Sequence, residues 1–146
     1  MADSPLARLI GSWEFEPLVD GRPAGRGRAT FEWIEGGAFV LERSDAAWND
    51  PGWVEHAPKR SQSVIGWDDS TDEIVQLYSD SRGVFRIYRG SVTDDAWTLE
   101  RAAPEFHQRF VGEFRDGGRT IDGRWESSAD GMAWELDFPI AYHRTG

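Results

Sequence analysis

From Ser12 onward the chain reads as short runs of alternating apolar and polar residues, broken at intervals by Gly, Asp, Asn or Ser. A period of two is the mark of strands with one buried face. The pattern predicts ten strands, near 12–17, 26–35, 38–45, 60–67, 73–80, 84–92, 96–102, 106–115, 119–128 and 132–144. Only one segment reads as helix: Ser4 stands as N-cap, Pro5 opens the first turn, Leu6, Leu9 and Ile10 come next, and Gly11 stops it. A helix this short can plug or cover one end of a β-structure. Residues 46–59 read as one long loop, with Trp48 and Trp53 on either side of the turn-forming run Asn49-Asp50-Pro51-Gly52. So many antiparallel strands must hide their edges, and closure into a barrel does so. The expected fold is all-β: an up-and-down antiparallel barrel of about ten strands with a short N-terminal helix, in a single domain over residues 1–146.

Hairpin loop length determines which residues face each other. A two-residue loop at Gly117-Gly118 pairs Asp116 with Arg119. It then sets Phe114 against Ile121, Gly112 against Gly123, Phe110 against Trp125 and Gln108 against Ser127. The other face carries Arg109 opposite Glu126, Glu113 opposite Asp122 and Val111 opposite Arg124, so the first face is the interior. A second such loop at Asp130-Gly131 brings Trp134, Leu136, Phe138 and Ile140 to the same interior and pairs Arg124 with Asp137 outside. Pairing Arg101 with Phe106 adds Trp97, Leu99 and Arg101. A turn at Asp94-Asp95 adds Tyr88, Gly90 and Val92. A three-residue loop Ser81-Arg82-Gly83 adds Ile74, Gln76, Tyr78 and Arg86.

The interior so derived holds Gln76, Tyr78, Arg86, Tyr88, Arg101, Gln108 and Ser127, too many polar groups for a solid core. A cavity filled by water or a ligand resolves the excess. Val75, Leu77, Phe85 and Ile87 then lie outside, where an apolar patch marks a subunit interface and implies a homodimer. The alternative is a register slip near residues 80–95 that turns those four inward and packs the barrel solid.

Composition narrows the partners. The 146 residues include 26 acidic and 16 basic side chains, a net charge of −10 that repels nucleic-acid phosphates and anionic lipid. No cysteine is present, which removes disulfides, thiolate metal sites and thiol nucleophiles. No apolar run approaches a spanning helix, and the N-terminal residues lack the basic and apolar regions of a signal peptide; a cytoplasmic location without membrane contact is expected. Eight Trp and 16 Gly suit a twisted sheet with tight turns.

Gly11-Ser12-Trp13 opens the first strand after a short helix, and Arg144 sits near the end of the last. This arrangement resembles the lipocalin and fatty-acid-binding (calycin) barrels, where a first-strand Trp packs against a basic residue of the last strand. A second set of residues comprises Tyr78-Ser79-Asp80-Ser81-Arg82-Gly83-Val84-Phe85-Arg86-Ile87-Tyr88, Trp97-Thr98-Leu99 and Pro104-Glu105-Phe106-His107-Gln108-Arg109-Phe110. Gly123-Arg124-Trp125-Glu126 and Ser128-Ala129-Asp130-Gly131 before Trp134 complete it. Together they resemble a bacterial family of uncharacterised lipocalin-like proteins. That resemblance implies a ten-stranded barrel and no particular reaction. Nitrobindin-like haem barrels are a structural cousin that binds haem through a His of the final strand. Here His143 shares a face with Glu135 and Asp137, placed outside, so no cofactor is expected.

The three histidines, at 56, 107 and 143, are too scattered for a metal site, and Asp68-Asp69-Ser70-Thr71-Asp72 lacks the Gly and terminal Glu of a calcium loop. Gly-x-Ser-x-Gly is absent. The interior instead offers Tyr78 and Tyr88 as phenols beside Arg86 and Arg101, with Asp80 at the rim. Such a set can hold a carboxylate or carbonyl headgroup, stabilise an enolate in an isomerase or cyclase, or form a purely structural network. Binding is the expected function; one alternative is a small barrel enzyme, an isomerase or cyclase on a hydrophobic carbonyl substrate, and the other is a dimeric interaction protein with no internal ligand, whose role lies on the Val75, Leu77, Phe85 and Ile87 face. The expected ligand site is Gln76, Tyr78, Arg86, Tyr88, Arg101 and Gln108 around the headgroup of a small, mostly apolar molecule. Phe106, Phe110, Trp125 and Trp134 would surround its body.

Overall fold

The computed structural model describes residues 3–146. Its strands are β1 (Gly11–Val19), β2 (Arg22–Pro23), β3 (Gly25–Ile34), β4 (Phe39–Trp48), β5 (Arg60–Asp68), β6 (Glu73–Asp80), β7 (Phe85–Val92), β8 (Ala96–Arg101), β9 (His107–Arg115), β10 (Thr120–Ser128) and β11 (Glu135–Arg144). Each long strand pairs antiparallel with its neighbour in sequence, and β11 pairs back onto β1 from Trp13↔Arg144 to Pro17↔Ile140. The result is a closed ten-stranded antiparallel barrel, with two-residue β2 as an ear on β1. No helix among the described residues is long and apolar enough to cross a membrane.

Three of the expected registers appear as derived. Phe114 faces Ile121, Phe110 faces Trp125 and Gln108 faces Ser127 across β9–β10. Tyr78 faces Arg86 across β6–β7, and Val92 faces Trp97 across β7–β8. Leu77, Phe85 and Ile87 are therefore exposed, at 43%, 61% and 46%, and the slipped alternative is overturned.

Two registers differ. β8 and β9 pair Arg101 with Gln108, because their connection is longer than the four residues expected; the shift is by two, so Trp97 and Leu99 still face inward. β10 and β11 pair Trp125 with Phe138 and then Glu126 with Leu136, a bulge that leaves Asp137 unpaired. One extra residue turns everything beyond it to the opposite face. Phe138 and Ile140 stay inside, whereas Leu136 is 58% exposed. Arg124 meets Glu126 at 3.8 Å and not Asp137.

One end of the barrel is plugged. Pro5–Arg8 form a 3₁₀ turn, begun by Ser4 Oγ accepting the Leu6 amide, and bury Leu6 and Leu9. Trp13 Nε1 donates to the Leu9 carbonyl at 2.9 Å, and the Arg144 guanidinium lies 4.1 Å over the Trp13 ring while donating to the Ile10 and Arg8 carbonyls. The first-strand Trp and last-strand Arg thus tie the plug to the seam where the barrel closes. Around them Val40, Ile65, Ile74, Phe110 and Ile121 make the core. Gly112 and Gly123 face each other beneath Phe110, whose ring occupies the space their Cβ atoms would need.

The long loop is not all loop. β4 runs on to Trp48, and Pro51–His56 form helix α1, capped by the Asp50 carboxylate on the Gly52 and Trp53 amides. Asp followed by Pro is a helix start as well as a turn signal, and the apolar contact of Trp53 decides between them here.

Candidate functional site

A cavity of about 660 Å³ lies between the plug and α1. Barrel strands alternate inward and outward residues, so each wall is set by the register. On one side Phe15, Trp97, Phe110, Trp125, Phe138 and Tyr142 form an aromatic wall. Phe110 and Trp125 sit with ring centroids 5.1 Å apart, and Tyr88 and Trp125 at 5.5 Å. On the other side β4–β7 present Glu42, Ser44, Ser61, Gln76, Tyr78 and Arg86. Helix α1 covers the second end: Trp53 packs edge-on against Trp48 and Phe138, both at 4.9 Å, and Trp48 Nε1 donates to the Pro58 carbonyl. Trp48 and Trp53 therefore form part of a lid.

The polar groups are joined in two clusters. Beside the lid, Tyr78 donates to Asp80 at 2.8 Å, and Arg82 holds the same carboxylate at 2.6 Å while reaching the His56 carbonyl of α1. Burial works against the charged Asp80, but the bonds from Arg82 and Tyr78 outweigh it and hold its pKa below the ordinary value. Burial first, and the bond to Asp80 second, push the Tyr78 phenol up; burial does the same to Tyr88. Both phenols stay protonated and serve as hydrogen-bond groups. The second cluster centres on Gln108, whose Oε1 accepts from Tyr88 at 3.0 Å and from Arg86 at 3.3 Å, with Phe106 5.2 Å beneath the Arg86 guanidinium.

Of the ten expected ligand residues, Gln76, Tyr78, Arg86, Tyr88, Phe106, Gln108, Phe110 and Trp125 line this one cavity. Arg101 does not. It borders a separate groove with Phe85, Ile87 and Glu100, where β7 and β8 part: they pair only over Arg89–Val92. Trp134 is also misplaced by the expected register. It precedes β11, beyond the bulge, and lies under the Arg109 guanidinium at 4.1 Å on the outer face, where Arg109 also pairs with Glu126. His143 is exposed and stands opposite Glu14 and Thr120 on the outer face.

Glu42 is the residue that sequence reasoning missed. It is 7% exposed, faces the cavity from the middle of β4, and burial pushes its carboxyl from the ordinary 4.5 up to about 7, against the Ser63 hydroxyl, which lowers it. A signal existed: the Gly36-Gly37 turn sets Phe31 opposite Glu42, and Phe31 belongs to the apolar face of β3.

No protein-family model matches the chain, and no curated protein matches it. Among solved structures, the chain is similar to the crystal structure of Rv2717c from M. tuberculosis, with a TM-score of 0.65 at 17% identity over 97% of this chain and 95% of that one. That likeness shows the barrel fold alone.

Proposed function

We propose that this chain is a lipocalin-like binding protein that holds a small, mostly apolar molecule inside the barrel, with a polar or acidic headgroup at Arg86, Gln108 and Tyr88. The observation that carries the reading is the cavity itself: about 660 Å³ with an aromatic wall facing a polar one, within the size range of small-molecule sites. Arg86 supports the headgroup assignment because, among the described residues, its side chain makes one hydrogen bond, a 3.3 Å contact to a neutral amide oxygen, which an anion readily replaces. Anilinonaphthalene sulfonate, an apolar anion, tests it by fluorescence titration. Arg86→Ala is expected to weaken its binding roughly ten-fold or more while leaving the melting temperature nearly unchanged, since a charged hydrogen bond is worth about 1.5–3 kcal/mol. Equal affinity in the variant would remove the headgroup assignment.

A second reading concerns the outside. The register lines up Leu41, Val64, Leu77 and Ile87 across β4–β7, with Val75 and Phe85 in the adjacent rows. We propose that this row is a homodimer contact. Sedimentation at micromolar concentration is expected to give a dimer that Leu77→Asp converts to a monomer. A monomeric wild type would sink the idea.

A further inference from the structure

The cavity wall around Glu42 is built to receive a hydrogen-bond donor, a role that rests on the binding function proposed for the barrel. β4, β5 and β6 set Glu42, Ser63 and Tyr78 in one cross-strand row, and Gln76 stands in the next inward row toward the plug. Gln76 Nε2 donates to Ser63 Oγ at 3.0 Å. A hydroxyl that accepts there still has its own proton to give, and Glu42 stands directly opposite it across β4–β5, near enough for the hydroxyl to lower its pKa. This wall of the cavity therefore presents acceptors. The Glu42 carboxylate faces the cavity, and Gln76 Oε1 is buried with no donor in reach among the described residues.

Among the described residues no cation answers this charge. Arg86, in the same row two strands beyond Ser63, is engaged with Gln108, and Glu42 has no ion-pair partner there. Tyr142 stands near enough for the Glu42 charge to raise its own pKa further above what burial does, and it packs at 5.6 Å against Phe15. Aromatic faces attract cations. Folding has already stripped water from the carboxylate, so an incoming ammonium meets an unscreened partner without a fresh desolvation cost on the protein's side.

We propose that Glu42 and Gln76, the latter tied to Ser63 behind the cavity wall, form a subsite for a protonated amine at the buried end of the ligand, so that the ligand is an apolar amine whose other polar end meets Arg86. A simple fatty acid would leave both Glu42 and Gln76 Oε1 unanswered, and its charge would repel the first.

The test compares two isosteric probes, naphthylmethylamine and naphthylmethanol, by tryptophan fluorescence titration above neutral pH, with the wild type and with Glu42→Gln and Gln76→Met. The expected result is that the wild type binds the amine at least ten-fold more tightly than the alcohol. Glu42→Gln should erase that preference while keeping the alcohol affinity, and Gln76→Met should reduce it. Equal binding of the two probes by the wild type, or a preference that survives Glu42→Gln, overturns the amine subsite and leaves the cavity reading standing. If neither probe binds at all, the amine subsite and the cavity reading are both overturned.

Discussion

Glu42→Gln is expected to become more stable relative to the wild type as the pH rises, by about 3 kcal/mol between about pH 4 and about pH 8. Burial places the folded-state pKa of Glu42 at about 7, above the ordinary 4.5. The folded protein then binds this proton more tightly than the unfolded chain does. Its contribution to stability is fully present below the unfolded value and is lost as the pH climbs from there through the folded one. Each ten-fold difference in proton affinity is worth about 1.36 kcal/mol, which yields the figure above. Glutamine keeps the shape and carries no charge at any pH. The wild type has opposing contributions from Asp68, Asp80 and Asp130, whose pKa values are lowered by hydrogen bonds. They act in the acid range and cancel in the comparison of the two proteins. Urea unfolding of both across this range measures the difference, and a flat difference contradicts the burial of the carboxylate.

Trp13→Ala is expected to cost about 4 kcal/mol, the scale of deleting a fully buried large aromatic. Trp13 is 1% exposed, and its indole does two things at once. It fills the end of the barrel against Tyr142, and it anchors the plug through the Leu9 carbonyl and the Arg144 stack. Trp13→Phe keeps much of the volume but loses the hydrogen bond, so its cost should be about half as large, on the order of 2 kcal/mol. Denaturant titration separates the cases; a loss under about 1 kcal/mol in Trp13→Ala contradicts a closed, plugged end.

The barrel was legible because a meander repeats one readable unit. Where a turn declares its own length, as at Ser81-Arg82-Gly83, Asp94-Asp95 and Gly117-Gly118, the facing pairs are determined, and most of the polar interior with them. Trp134 escapes because the connection after Ser128 is one residue longer than a two-residue Asp130-Gly131 loop allows, which turns Trp134 and Leu136 outward, and the bulge at Asp137 then returns Phe138 and Ile140 to the inside. Arg101 kept its inward parity, but the barrel wall opens beside it, a matter of how far two strands stay together. Helix α1 was hidden in a segment that reads equally well as a turn until Trp53 finds Trp48 and Phe138. Glu42, a lone Glu between Leu41 and Arg43, reads as a solvent residue until the Gly36-Gly37 turn is counted.

The eight tryptophans divide evenly and provide the most direct test. Trp48, Trp53, Trp97 and Trp125 line the cavity, whereas Trp13, Trp33, Trp67 and Trp134 do not. Each indole N–H gives its own signal in a nitrogen-15 correlation spectrum. Titration with anilinonaphthalene sulfonate is expected to move the first four resonances together, with one affinity, and to leave the second four in place. Movement confined to the second four, or no saturable movement at all, would contradict a binding site inside the barrel.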